Sequence, residues 1–228
     1  MNSRTRTPSA SYTRAQARAM KGFARLGAAL AAALVLAVTA RAQGAPASSD
    51  FAAQYSAAAS SSARLDAVMG AIRSDEASQA AWLINDFSAE SVPGIRAWMI
   101  RGVADLAPQK GLSFFEQGLK DPSAWVRLAA ADALGKMGGA QAVSDLSAVL
   151  ASEKNPGVRQ SAASWLGRIG GTSAITALGQ RLQFDANPNV RLEAAWVLSR
   201  MRGAQAAQEL RKGRNDADER VRRAAGGR

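Results

Sequence analysis

The chain has 228 residues, 47% of them hydrophobic and 6% aromatic, with 29 basic against 18 acidic side chains and a formal charge of +11. It contains neither histidine nor cysteine. That removes the commonest general base near neutral pH, the commonest transition-metal ligand, disulfides, thiolate nucleophiles and cysteine-based zinc sites. Carboxylates, hydroxyls, lysines and two tyrosines remain for any chemistry. Much of the apolar fraction is alanine, accompanied by Leu, Gln, Arg and Glu, all strong helix formers. The fold class read from this composition is all-α.

Seven of the basic residues lie in 1–42 (Arg4, Arg6, Arg14, Arg18, Lys21, Arg25 and Arg41) and no acid does, so the rest carries 22 basic against 18 acidic residues. Residues 26–40, LGAALAAALVLAVTA, carry no charge, follow Lys21 and Arg25, and lead into small residues. A basic region, a short apolar run and an exit at Ala40-Arg41-Ala42 describe a secretory signal peptide cleaved after Ala42, with Val38-Thr39-Ala40 as a second option. The competing reading is a buried helix or an uncleaved anchor, but the run falls short of the about twenty residues of a membrane span. Residues 1–19 lengthen the basic region beyond need, and Met20-Lys21 would start a compact signal unaided. The expected location is periplasmic or secreted, without a lipid-modified cysteine. Residues 43–49, QGAPASS, read as a linker, and Asp50 as the cap of a first helix in a helical region 50–228.

Within that region the chain repeats itself. Val126-Arg127, Val158-Arg159, Val190-Arg191 and Val221-Arg222 follow at steps of 32, 32 and 31, and Ile95-Arg96 stands 31 before the first. Phe115, Leu146, Leu178 and Leu210 keep the same register, as do Leu112, Val143, Ile175 and Ala207. Each unit predicts two helices. Asp121-Pro122, Asn155-Pro156 and Asn187-Pro188 read as a cap followed by Pro at the first helical position. Val126, Ala130, Ala133/Leu134 and Met137 then recur at helical spacing, and Gly138-Gly139 and Gly170-Gly171 stop that helix. A second amphipathic stretch over 140–150 places Ala142, Val143, Leu146 and Leu150 on one face. Upstream, 50–75 read as N-terminal cap helices, and 76–87 as the first helix of a unit with Ala81 and Ile84 on its apolar face. The repeats span 76–215, and 216–228 form a partial repeat with a short helix docked through Val221. One such hairpin cannot bury its own apolar face, so the units must stack into an α-solenoid.

The pattern NPxVRxxAAxxLGxxGG resembles the HEAT-like repeat of the phycobilisome-lyase type over residues 92–228. The third copy departs from it at Ser199 and Arg202. The resemblance implies a solenoid that serves as a binding scaffold. Its name comes from bilin lyases, and no residue here specifies a tetrapyrrole. HEAT-like hydroxylases use His-Glu metal pairs, which a chain without histidine lacks. No catalytic residue, cofactor or metal is therefore expected; a lyase-like or other enzyme using the groove is the alternative.

The arginine column, Arg96, Arg127, Arg159, Arg191 and Arg222, sits near helix N-termini, the wrong end of the dipole for a cation. A carboxylate or carbonyl in the neighbouring repeat must compensate. Arg96, Arg127, Arg159 and Arg191 then form a structural ladder; the alternative is an anion-binding stripe, since arginine forks match carboxylate and phosphate. Trp196 occupies a column that holds Asp132 and Ser164 in earlier copies, which points to a solvated face, and exposed tryptophan suits binding. Trp125, in the turn before Val-Arg, reads as either packed or accessible. Trp165, aligned with Ala133, reads as packed between helices. Residues 43–120 hold six basic and eight acidic residues, whereas 121–228 hold sixteen and ten. Trp125, Trp196, Arg200, Arg202, Arg211 and Arg222 are the candidate binding residues. The expected partner is another protein, acidic in character, or an anionic envelope surface; nucleic acid is disfavoured by the leader.

Overall fold

The computed structural model describes residues 50–226, so Met20, the leader with Ala42, and the linker lie outside the described residues. Twelve α-helices and no strand occur among them. After α1 (Phe51–Ala57), first helices alternate with second helices. The first helices are α2 (Ser61–Ser74), α4 (Pro93–Leu106), α6 (Ala124–Met137), α8 (Pro156–Ile169), α10 (Pro188–Arg200) and α12 (Glu219–Ala224). The second helices are α3 (Ala80–Asp86), α5 (Leu112–Gly118), α7 (Gly139–Ser152), α9 (Thr172–Phe184) and α11 (Ala204–Arg211). Consecutive first helices pack on one another from α2 to α12, and α9 packs between α7 and α11. The fold is an all-α solenoid.

Local chemistry places the helix ends. Asn155 caps α8 through Oδ1, which accepts the N–H groups of Gly157 and Val158, and Asn187 caps α10 by accepting that of Asn189. Pro156 and Pro188 fill the first helical positions, where no N–H is needed. Asp121-Pro122 departs from this expectation: α6 starts only at Ala124, with Ser123 at the cap. Both Asp121 oxygens are engaged elsewhere, Oδ1 by the Ser123 N–H and both by the Arg96 guanidinium. At the other end Gly138 and Gly170 adopt φ 69° and 80° with ψ −163°, and Gly171 and Gly203 adopt φ 92° and 108°. Positive φ with extended ψ is essentially confined to glycine. The third copy therefore keeps Gly203 while tolerating Arg202 before it.

Stacking buries one apolar column through the second helices: Phe115, Leu146 and Leu178 are fully buried, and Leu210 is half-buried near the end of the stack. In the neighbouring column Ile175 is buried, Leu112 and Val143 are half-buried, and Ala207 is exposed. Alanine lets the first helices approach closely, with Ala129, Ala130, Ala131 and Ala133 all buried in α6. Glycine goes further. A Cβ on Gly135 would stand 2.1 Å from Trp165 Cδ2, and one on Gly167 2.1 Å from Val197 Cγ1. Each is a socket for a side chain of the next repeat.

The repeat reaches further upstream than the sequence columns suggested. Residues 76–87 do not form the first helix of a unit; α3 is the second helix of a hairpin begun by α2. Leu83, 32 residues before Phe115, is the fully buried member, while Ala81 is exposed and Ile84 half-buried. Downstream, α12 is capped by Asp218 and buries Val221.

Candidate functional site

Two surfaces emerge: a line of ion pairs that joins the repeats, and a side face of first helices bearing tryptophan. The ion pairs answer the electrostatic question posed by arginines at helix N-termini. Arg127 folds back so that Nη1 donates to the carbonyls of Asp121 and Pro122, at 2.9 and 3.0 Å. Its Nε and Nη2 donate to Glu153 in the next turn, at 2.7 and 2.8 Å. Arg96 repeats this with the carbonyls of Glu90 and Ser91 and the carboxylate of Asp121. Arg159 does so with Glu153, Lys154 and Asp185, and Arg191 with Asp185, Ala186 and Asp216. Each carboxylate also accepts the N–H two residues on, from Ser123, Asn155, Asn187 and Asp218. One acid thus fixes the turn of its own repeat and holds the arginine of the preceding one.

A further rung lies upstream, which the sequence columns missed. Arg64, 32 residues before Arg96, donates to Glu90, which also accepts from the Tyr55 hydroxyl and the Val92 N–H. A signal was present: an acid stands six residues before each of Arg96, Arg127, Arg159, Arg191 and Arg222. Hydrogen bonding to Arg127 and Arg191 holds the Glu153 and Asp216 carboxyls below their ordinary range, against burial. Burial pushes Glu90 and Asp121 upward, but bonds from Arg64 and Tyr55 to the first and from Arg96 to the second outweigh it, and both end lowered. Burial, then the bond to Glu90, pushes the Tyr55 phenol well up.

Arg222 breaks the series. Its Nη1 donates to the carbonyls of Asp216 and Ala217 at 2.7 and 3.0 Å, as in every earlier unit from Arg96 on. Among the described residues no carboxylate meets its Nε and Nη2.

On the side face, Trp196 is 41% exposed and its indole lies under the Arg200 guanidinium, 4.6 Å away. Trp98 with Arg101 and Trp165 with Arg168 form the same pair at 5.1 and 4.9 Å. The short Trp-to-Arg spacing, three or four residues on α4, α8 and α10, was their sequence signal. Trp165 is half-buried against Gly135, and its Nε1 donates to Asp132 at 2.9 Å. Around these pairs, polar side chains bridge adjacent first helices: Ser161 to Asp132, Ser164 to Glu193 and Lys136 to Asp105. Trp125 is 52% exposed in the first turn of α6. Phe184, which sequence reasoning passed over, is 67% exposed at the end of α9.

The structure joins Trp196 and Arg200 directly and puts the other candidates on other elements. Arg202 is exposed in the turn after α10, Arg211 is exposed at the end of α11, and Arg222 is half-buried on α12. Between α5 and α7 runs a groove of about 720 Å³ lined by Glu116, Lys120, Asp145, Glu153 and Lys154. Asp145 Oδ2 is buried there without a hydrogen-bond partner. No group of three or more metal-binding side chains occurs among the described residues.

This architecture agrees with the comparisons. The family model for HEAT repeats matches residues 80–164 and 145–227. The chain belongs to the HEAT repeat family. No curated protein matches it in sequence. Among solved structures, this HEAT repeat chain is similar to a designed armadillo repeat protein in complex with the peptide (KR)4. The TM-score is 0.52 at 19% identity, over 78% of this chain and 97% of that one. It is also similar to human deoxyhypusine hydroxylase in complex with glycerol, with a TM-score of 0.40 at 17% identity, over 83% and 85% of the two chains. The first of these likenesses bears on the HEAT-type solenoid fold alone.

Proposed function

We propose that this HEAT repeat protein, of the phycobilisome-lyase type, is an exported, non-enzymatic scaffold. Its first-helix side face holds an acidic protein or an anionic envelope surface. The observation that carries the reading is Trp196: a large indole left 41% exposed beside Arg200, in a column that earlier repeats fill with Asp132 and Ser164. A tryptophan backed by an arginine combines apolar area with charge at little entropic cost, the combination enriched at binding hot spots. The designed armadillo protein holds a peptide, (KR)4. The sixteen basic against ten acidic residues of 121–228 favour a partner of the opposite sign here. Residues 1–42, read as a cleaved leader, direct the scaffold to the envelope.

The test is photo-cross-linking in the native host with wild-type chain and Trp196→Ala. A defined adduct with one envelope component, lost in the variant at unchanged melting temperature, is the expected result. N-terminal sequencing of the mature protein should begin at Gln43. An intact leader on a cytoplasmic protein, or a chromophore co-purifying in stoichiometric amount, would overturn the reading.

A further inference from the structure

The groove between α5 and α7 holds a carboxylate that the stack does not use. Asp145, on α7, lines it; Oδ1 accepts from the Gln141 amide at 3.0 Å, while Oδ2 is shielded from solvent without a donor. Glu116 lines the same groove from α5, and among the described residues neither acid makes an ion pair. Both are half-buried, whereas Lys120 and Lys154, which also line the groove, are exposed. The remaining lining acids, Asp121 and Glu153, are occupied by Arg96 and Arg127. We propose that this groove docks an extended segment of a partner protein and takes a basic side chain, arginine above all, on Asp145 and Glu116.

Three observations support that occupant. First, repetition does not require these acids. In the register of Phe115, Leu146 and Leu178, Glu116 and Asp145 become Ser147 and Ala177 in the gap between α7 and α9, so stacking is served by serine and alanine there. Second, a shielded carboxylate oxygen without a donor is costly, and a donor entering the groove removes that cost. The terminal carboxylate torsion is broad, so a modest rotation turns Oδ2 toward the groove. A guanidinium brings five N–H donors and no acceptor, enough to serve both acids. The lysines carry their charge on flexible stems into water, where it is screened and opposes an incoming cation only weakly. Third, the groove is long. A further groove of about 400 Å³, lined by Ser88 and Gln117, shares Lys120, Asp121 and Pro122 with it. Two gaps between helices about 8–10 Å apart span roughly 16–20 Å, the reach of five or six extended residues at about 3.3 Å each. A chain segment uses that length; a small amine would fill one end of it.

This site is built on second helices and has the opposite sign to the Trp196 face, so the two readings fail separately. The probe is an otherwise uncharged peptide with one arginine, acetyl-SASRSA-amide, compared with the same peptide carrying citrulline, which keeps the shape of arginine and drops its charge. Each is titrated into the full chain at physiological salt while backbone amide NMR shifts are followed. The arginine peptide should bind at least about tenfold more tightly, the scale of a charged hydrogen bond, with shifts on α5 and α7. Asp145→Asn should abolish that preference while its urea midpoint stays at or above the wild-type value, because the charge it removes has no partner. Glu116→Gln should weaken the preference. Trp196→Ala, and Glu209→Gln at the position in register with Asp145 on α11, should leave it in place. Equal binding of both peptides, no saturable binding, shifts confined to α8 and α10, or a preference retained by folded Asp145→Asn would each overturn the site. So would a lowered urea midpoint for Asp145→Asn, which would give the carboxylate a structural role instead.

Discussion

Arg159→Ala tests the ion-pair line most directly. The Arg159 side chain is 12% exposed and that of Asp185 2% exposed, so the pair is effectively buried. Truncation removes bonds of 2.8 and 2.7 Å to the carboxylate and of 2.8 and 3.1 Å to the carbonyls of Glu153 and Lys154. It leaves the Asp185 carboxylate with the Asn187 N–H as its remaining hydrogen bond. An uncompensated buried charge of this kind costs about 3–5 kcal/mol. Arg159→Met combined with Asp185→Leu removes both charges and should recover most of the loss. Arg222→Ala is the internal control: it loses two carbonyl bonds and no ion pair, and should cost on the order of 1 kcal/mol. Urea midpoints give the ranking, and hydrogen exchange across α8 to α10 shows where stability is lost, because each repeat leans on its neighbours. Wild-type behaviour of Arg159→Ala, or a loss no larger than that of Arg222→Ala, would refute the argument.

Other perturbations probe the packing and the charge. Leu178→Ala, at a fully buried position, should destabilise by about 2–5 kcal/mol, and the half-buried Leu210→Ala by less; equal urea midpoints would contradict the column. Gly135→Ala forces a methyl against Trp165 and should cost about 1–3 kcal/mol, with a shift in tryptophan fluorescence. Glu90, Asp121, Glu153 and Asp216 are more acidic folded than unfolded, so their contribution is complete above the unfolded carboxyl range and fades as the pH falls through the folded values. The urea midpoint should be level near neutrality and decline below about pH 4; a midpoint unchanged well below that contradicts the rungs. Amides after Asp216 should exchange faster than those of α10, since α12 is a six-residue helix burying little beyond Val221. Equal protection would show that the end is held more firmly than its contacts imply.

The period of 31–32 residues was legible because every hairpin must offer its neighbours the same apolar surface, and this fixes residue type at Leu146, Leu178 and Val190. The Asn-Pro starts and the glycines were legible because caps and positive φ are local requirements, met within a few residues of sequence. The partners of the arginines needed the fold. Asp and Glu share that column, as Asp121, Glu153 and Asp185 do, so no single letter repeats, and each acid lies 25 or 26 residues from its arginine. Asp121 beside Pro122 looked like a cap in sequence; the stack made it a rung instead, because Arg96 from the preceding repeat reaches it first. Likewise a tryptophan's identity says nothing of its exposure. Trp165 meets Gly135 of the preceding first helix, α6, and is half-buried, whereas Trp196 lies one position off that contact and stays exposed. Local backbone chemistry and repeat spacing are written along the chain, while pairing and accessibility depend on which helix arrives next to which.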